Sequence, residues 1–302
     1  MTRTTHRWAA TLAAAALIAV ACGDTTSSSS STTIPAVTTS GSTTATTVPP
    51  APTTTTPPTT AVPATTAPVD QIVVATYFSR DGMLVAGSRA VAKADAPRAA
   101  VAAVIDGPNA DERAAGFTTV IPAGTALRGV TIDQRKATVD VSNAFTTGGG
   151  SLSMRLRVAQ IVYTLTRMGS VDSVRFLIDG QAVESIGGEG FIVTNVQQGE
   201  FDDLLPPFIV ESPTPGATVA PGFAFKGLAN VFEGTVNFQL LDAGGAVITE
   251  GFATGAMGMW GPFDAKVTFP ARPAGLLTFV AFTISAKDGT RQNESRIAVR
   301  VG

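Results

Sequence analysis

The sequence predicts an α+β domain followed by an all-β antiparallel sandwich, both carried behind a disordered N-terminal stretch. Three observations predict it. Between Gln71 and Ile186, two helical segments alternate with strand pairs in the order β-β-α-β-β-α-β-β. From Phe208 onward, seven short apolar runs are separated by Gly- and Pro-containing turns, with no helical period. Residues 22–69 are almost entirely Thr, Ser, Pro, Ala and Val. A chain of 302 residues has room for two domains of about 150 residues each. The boundaries follow as 1–21 export signal, 22–69 linker, 70–192 α+β domain, 193–205 inter-domain linker and 206–302 sandwich.

The first segment reads as a signal. Arg3 and Arg7 form a short basic start, and Trp8–Ala21 is an apolar run too short for the roughly 20 residues of a spanning helix. It ends Ala19-Val20-Ala21-Cys22-Gly23, which resembles a bacterial lipobox, with Ala19 where leucine is usual. The resemblance implies lipid attachment at Cys22 and anchorage to the outer face of the cell membrane. In the linker that follows, Gly23–Pro68, the charged residue is Asp24. Such a composition buries too little apolar surface to offset chain entropy. Its prolines keep it extended, with a reach on the order of 140 Å at ~3.1 Å per residue.

Composition excludes several function classes. The net charge is −2 and charged residues make up 15% of the chain. No basic surface of the kind that nucleic-acid partners need is indicated. The one histidine is His6 and the one cysteine is Cys22. An internal disulfide, a Cys/His metal site and a histidine-based catalytic set are therefore not expected in the exported chain, nor is a cofactor.

In the α+β domain, Gln71–Ser79 and Met83–Ala92 form a strand pair around Asp81-Gly82. Pro97 sits at a helix start, where its missing N–H is harmless. Gly107-Pro108 ends that helix, and a loop follows. Leu127–Asp133 and Lys136–Ser142 read as a hairpin. Gly148–Gly150 lets the chain turn into a second helix capped by Ser151 or Ser153 and running to about Arg167. Leu152, Leu156, Ala159 and Tyr163 form one apolar stripe on it. Strands Val171–Asp179 and Ala182–Ile186 complete the domain, with both helices on one face of a sheet.

Gly107-Pro108, Ile121-Pro122-Ala123-Gly124-Thr125, the stretch from Gly148 to Thr166 and Val174–Gly180 occur in this order. Together they resemble the GerM-type sporulation and spore-germination domain. The resemblance implies a small envelope domain with no established catalytic residues, similar in fold to modules of ring assemblies in sporulation machinery. Related domains occur in lipoproteins of non-sporulating bacteria.

In the sandwich, the expected strands are Phe208–Glu211, Phe223–Leu228, Thr235–Leu241, Val247–Phe252, Phe263–Phe269, Leu277–Ser285 and Arg296–Val301. Ser212-Pro213, Pro215-Gly216, Ala229–Glu233, Trp260–Phe263 and Ser285–Gly289 resemble the immunoglobulin-like domain of bacterial spore-germination proteins. Met257 and Met259 stand where some relatives carry a cysteine pair, and Thr283-Ile284 where acidic residues are common.

Four residues stand out as binding candidates. Arg155 and Arg157 lie about 200° apart on the helix, as ligand contacts or as ion-pair partners of acids such as Asp140 or Asp179. Glu233 beside Asn230 is placed to bind a cation or sugar, or to stabilise a turn. Trp260, with Met257, Met259 and Phe263, is either an exposed contact patch or sandwich core. The triple glycine 148–150 lacks the lysine of a phosphate-binding loop, and Gly187–Gly190 frames a groove or forms a plain turn.

The expected function is a non-enzymatic envelope lipoprotein that binds or scaffolds a membrane or wall protein, or peptidoglycan. The alternatives are a carboxylate-dependent hydrolase of wall glycans, which needs only two acids, and a solute-binding lipoprotein, which needs two lobes around a cleft. Lipidation has a direct test. Cys22→Ser should release the protein into the medium or leave its precursor uncleaved, as read by membrane fractionation and precursor mobility. Unchanged fractionation with normal processing would contradict it.

Overall fold

A computed structural model describes residues 70–302 other than Glu189 and Pro273. The export signal 1–21, Cys22 and the linker 22–69 lie outside the described residues.

The chain opens with a ten-residue hairpin pair, β1 (Gln71–Arg80) and β2 (Met83–Ala92). Asp81 and Gly82 both take positive φ, 53° and 77°, the two-residue turn whose twist matches antiparallel strands. Helix α1 (Ala96–Asp106) follows with Pro97 in its first turn and ends at Gly107. A five-residue helix α2 (Ala110–Ala114) then occupies part of the expected loop. Its start is an Asn109–Glu112 capping box: Glu112 N–H donates to Asn109 Oδ1 at 2.9 Å and Asn109 N–H donates to Glu112 Oε2 at 2.8 Å.

Strands β3 (Leu127–Asp133) and β4 (Lys136–Val141) pair antiparallel. Helix α3 (Ser151–Thr166) crosses over to β5 (Ser173–Ile178), which pairs with β4 in parallel. The short β6 (Gln181–Ala182) completes a sheet of order β3-β4-β5-β6. A two-residue ladder, β7 (Ser185–Ile186) with β8 (Phe191–Ile192), follows. The element order is the expected α+β one with α2 and β8 added, and the expected strand Ala182–Ile186 divides into β6 and β7, which belong to different sheets. Both helices rest on the four-stranded sheet, α1 over β3 and α3 over β5, and touch each other. The hairpin β1–β2 is not part of that sheet; β1 packs on both helices instead.

That arrangement encloses much of α3. Its residues from Leu156 to Leu165 are all buried, polar ones included. Leu152, expected in the apolar stripe, is 53% exposed. The N-cap is Gly150, with no side-chain cap from Ser151 or Ser153. A helix enclosed on several sides must satisfy its polar side chains internally. Thr164 Oγ1 accepts the Tyr77 N–H at 3.0 Å. Gln160 Nε2 donates to the Tyr77 carbonyl at 3.2 Å, and its Oε1 accepts the Val120 N–H, also at 3.2 Å. Two side chains one turn apart thus stand in for a neighbouring strand along β1.

Residues 193–205 are not a free linker. Val193, Val196, Phe201, Leu204 and Leu205 are buried in the first module's core. Val196 forms a bridge with Val174 of β5. The 3-10 turn Gln198–Leu204 packs on α3. Acidic Asp202 and Asp203 face outward while Phe201 and Leu204 face inward.

The second module is the expected sandwich. One sheet has the order β10 (Thr218–Val219), β16 (Arg291–Val301), β15 (Gly275–Ile284), β12 (Thr235–Leu241), β13 (Val247–Thr254). The other is β14 (Gly261–Val267), β11 (Phe223–Ala229), β9 (Phe208–Ser212). All seven expected strands are present, with the two-residue β10 added. Between the sheets, Phe225 meets Phe238, Phe263 and Phe279 at ring separations of 5.4, 4.8 and 4.9 Å. Each such buried side chain contributes about 1.5–3 kcal/mol. Gly227 is required in β11, because a Cβ there would lie 1.9 Å from the Ile209 carbonyl oxygen.

The polar clamp on β1 predicts a stability effect. Gln160→Ala leaves the buried Tyr77 carbonyl and the part-buried Val120 N–H without this partner and should cost about 1–3 kcal/mol, the penalty of one fully buried orphaned group. Urea unfolding would measure it. A loss below about 0.5 kcal/mol, the range of a neutral surface change, would contradict the clamp.

Candidate functional site

The described residues of both modules fall within one compact unit, so the two modules meet through a built junction. At its centre Tyr77 of β1 donates its hydroxyl proton to Glu211 Oε1 of β9 at 2.5 Å. Arg167, just after α3, donates to both oxygens of Glu211 at 2.7 and 2.8 Å. The Tyr77 ring lies 5.1 Å from that of Tyr163. Two further bridges flank this centre. The hydroxyls of Ser88 and Thr214 lie 2.7 Å apart. Arg300 of β16 forks onto Asp111 of α2 at 2.8 and 3.1 Å and holds that carboxyl below its usual range. Ile209 and Leu228 of the sandwich extend the first module's core across the junction.

Trp260 belongs to this junction. It is half-buried and packs against the first module's apolar cluster. It is therefore neither sandwich core nor part of an exposed patch. Phe263 is sandwich core, while Met257 and Met259 are 70% and 64% exposed.

The two arginines of α3 diverge as their spacing requires. Arg155 forks onto Asp203 at 2.7 and 2.6 Å and donates to the Glu200 carbonyl at 3.0 Å. Arg157 is 2% exposed. Its guanidinium donates to the carbonyls of Val120, Phe145, Thr147 and Gly148. Burial lowers its pKa, and the charge is met by these carbonyl dipoles and by the Phe145 ring, 5.8 Å away. The ion pairs expected with Asp140 or Asp179 do not form. Asp140 accepts the Gly180 N–H at 2.9 Å, and Asp179 pairs with Arg128. Arg157 pins the loop that leads into α3, and the carbonyls that hold it come from positions no side-chain motif marks. Gly149, Gly150, Gly187 and Gly188 converge on one small cavity beside Arg155, Met154 and Phe191.

Glu233 lies elsewhere. It sits in the 3-10 turn Phe232–Gly234 after β11, at φ +60°. The following Gly234 is at φ +62°, and a Cβ there would come within 2.6 Å of the Gly255 carbonyl oxygen. This turn forms one wall of a groove of about 640 Å³ on the sandwich. The start of β12 and the β15–β16 hairpin form the rest. The groove holds Asn230 and Glu233 together, as their proximity in sequence suggests, and adds Asn237, Lys287 and Gln292. These last three escaped the sequence reading because they come from three separate elements.

Comparison with known proteins identifies the modules. The family model Germane, described as sporulation and spore germination, matches residues 9–184. The chain belongs to the Germane family. The model Gmad2, an immunoglobulin-like domain of bacterial spore germination, matches residues 209–290, so the Germane module is followed by a Gmad2 module. No curated protein matches the chain. Among solved structures, it is similar to the first GerMN domain of the sporulation protein GerM from Bacillus subtilis, at 22% identity and TM-score 0.35, covering 42% of this chain and 98% of that one. The tandem GerMN domains of the same protein give 16% identity and TM-score 0.37, covering 66% of this chain and 62% of that one. A candidate lipoprotein from Clostridium perfringens gives 20% identity and TM-score 0.33, covering 45% and 93%. Among the described residues, no helix is long and apolar enough to cross a membrane.

The junction of the Germane and Gmad2 modules predicts an alkaline response. Burial raises the Tyr77 pKa well above the usual phenol value, with Glu211 adding to the rise. Burial likewise raises that of Tyr163. These are the chain's 2 tyrosines. In the unfolded chain they ionise near pH ~10. Their contribution to stability is therefore complete below that pH and is lost as pH rises toward the folded values. Phenolate absorbance should stay absent in the native protein until it unfolds at high pH, and appear near pH ~10 in strong denaturant. A native phenolate signal near pH ~10 would place a tyrosine in solvent.

Proposed function

We propose that this Germane protein is a non-enzymatic lipoprotein of the cell envelope. Lipid on Cys22 anchors it to the outer face of the membrane, and the extended linker presents the two-module unit as a binding or scaffolding body. Its partner is a membrane or wall protein, or a wall polymer. No catalytic activity is known for the family. Its association with sporulation and germination supports an envelope setting.

The contrast between buried and open polar groups carries this reading. The buried ionisable groups Tyr77, Glu112 and Arg157 are each held by structural partners, whereas the Tyr163 hydroxyl is buried without a hydrogen-bond partner among the described residues. Among the open polar groups is a cluster in the Gmad2 groove, where Asn230, Glu233, Asn237, Lys287 and Gln292 have no side-chain hydrogen bond among the described residues. A surface of this kind suits recognition.

Crosslinking in intact cells followed by recovery of the full chain tests the proposal. The expected result is retention of a discrete membrane or wall component, with no turnover of purified peptidoglycan. Peptidoglycan turnover that a single Asp→Asn or Glu→Gln change abolishes would overturn it.

A further inference from the structure

The Gmad2 groove has a chemical character that narrows its ligand. Phe232 stands on its rim with 78% of its surface exposed. The ring offers an exposed apolar face beside polar groups. Its position is held. The preceding Val231 bridges to Met257, and the two residues after it take left-handed conformations at φ +60° and +62°. A non-glycine residue there is strained by on the order of 1 kcal/mol, and such strain gathers at functional sites.

The groove is also lined by three side-chain amides, Asn230, Asn237 and Gln292, with one carboxylate, Glu233, and one ammonium, Lys287. Their neighbours are satisfied within the protein: Asn293 Nδ2 donates to Thr283 Oγ1 at 2.9 Å, and Thr235 Oγ1 donates to the Glu233 carbonyl at 3.3 Å. The open groups face solvent and are free to meet a ligand. An amide both donates and accepts, as does each hydroxyl of a sugar. Neighbouring equatorial hydroxyls of a pyranose match planar amide and carboxylate groups, while its C–H face is apolar and matches an aromatic ring. Charges of both signs in one groove disfavour a ligand of a single strong charge. The volume, about 640 Å³, falls in the range of about 300–1,000 Å³ typical of ligand sites.

We propose that this groove binds a pyranose glycan, with Phe232 stacked on a sugar face and Asn230, Glu233, Asn237 and Gln292 bonded to its hydroxyl or N-acetyl groups. The proposal rests on the reading of the chain as an envelope binding protein and specifies the polymer it contacts.

Titration calorimetry of the full chain in detergent, with N-acetylglucosamine tetramer and with cellotetraose, tests it. Saturable binding of at least one is expected. A preference for the first identifies an amino-sugar polymer of the wall, and a preference for the second a plain glucan. Phe232→Ala should weaken binding about ten-fold or more, as truncation of a single aromatic anchor does, with an unchanged melting temperature because its side chain is exposed. Phe252→Ala, an exposed phenylalanine on β13 outside the groove, should bind as the native chain does. Binding of neither sugar, or binding that Phe232→Ala leaves intact, overturns the proposal. If cells still yield a crosslinked envelope protein in that case, the wider reading stands and only the glycan assignment fails.

Discussion

Helix α3 is enclosed by β1, α1, the four-stranded sheet and the turn 198–204, and the rest of the molecule depends on how its polar side chains are answered. Gln160 and Thr164 hold the backbone of Tyr77. Arg157 gathers the carbonyls that deliver the chain to the helix start. Beyond its last turn, Arg167 reaches Glu211 of the second module. A buried polar group without a partner costs about 1–3 kcal/mol, so these contacts fix where the hairpin, the loop and the sandwich must sit. The apolar faces supply the driving force, and the polar ones select the arrangement.

Tyr77 links the two levels of this arrangement. Its backbone is held by α3 and its hydroxyl by Glu211. Any shift of the hairpin relative to α3 is therefore felt at the module junction. The groove on the Gmad2 module then belongs to a body whose orientation is set by the Germane module. This gives the pairing of the two modules a physical role: the first holds the second, and the second offers the open polar surface.

Much of the fold was legible in the sequence because period and punctuation report directly on strands and helices. The seven sandwich strands alternate and are bounded by turn residues, and Asp81-Gly82 marks its hairpin. What the period does not report is the number of neighbours an element acquires. Leu152 obeys the apolar stripe of α3 and is still exposed, while Gln160 breaks it and is buried. Residues 193–205 look acidic and linker-like, yet Phe201 and Leu204 alternate inward against Asp202 and Asp203. The capping box Asn109-x-x-Glu112 was a readable signal for α2. The candidate site was legible only at Asn230 and Glu233. Asn237, Lys287 and Gln292 join them through strand pairing between β12, β15 and β16, a long-range outcome that no local motif encodes. Trp260 faces a module boundary, and sequence patterns within one module cannot reveal it.

Tyr77, Glu211 and Arg167 couple the Germane and Gmad2 modules into one cooperative body. Scanning calorimetry of the full chain tests it most directly. A single unfolding transition is expected, with calorimetric and van't Hoff enthalpies that agree. Two separable transitions, one for each module, would contradict it.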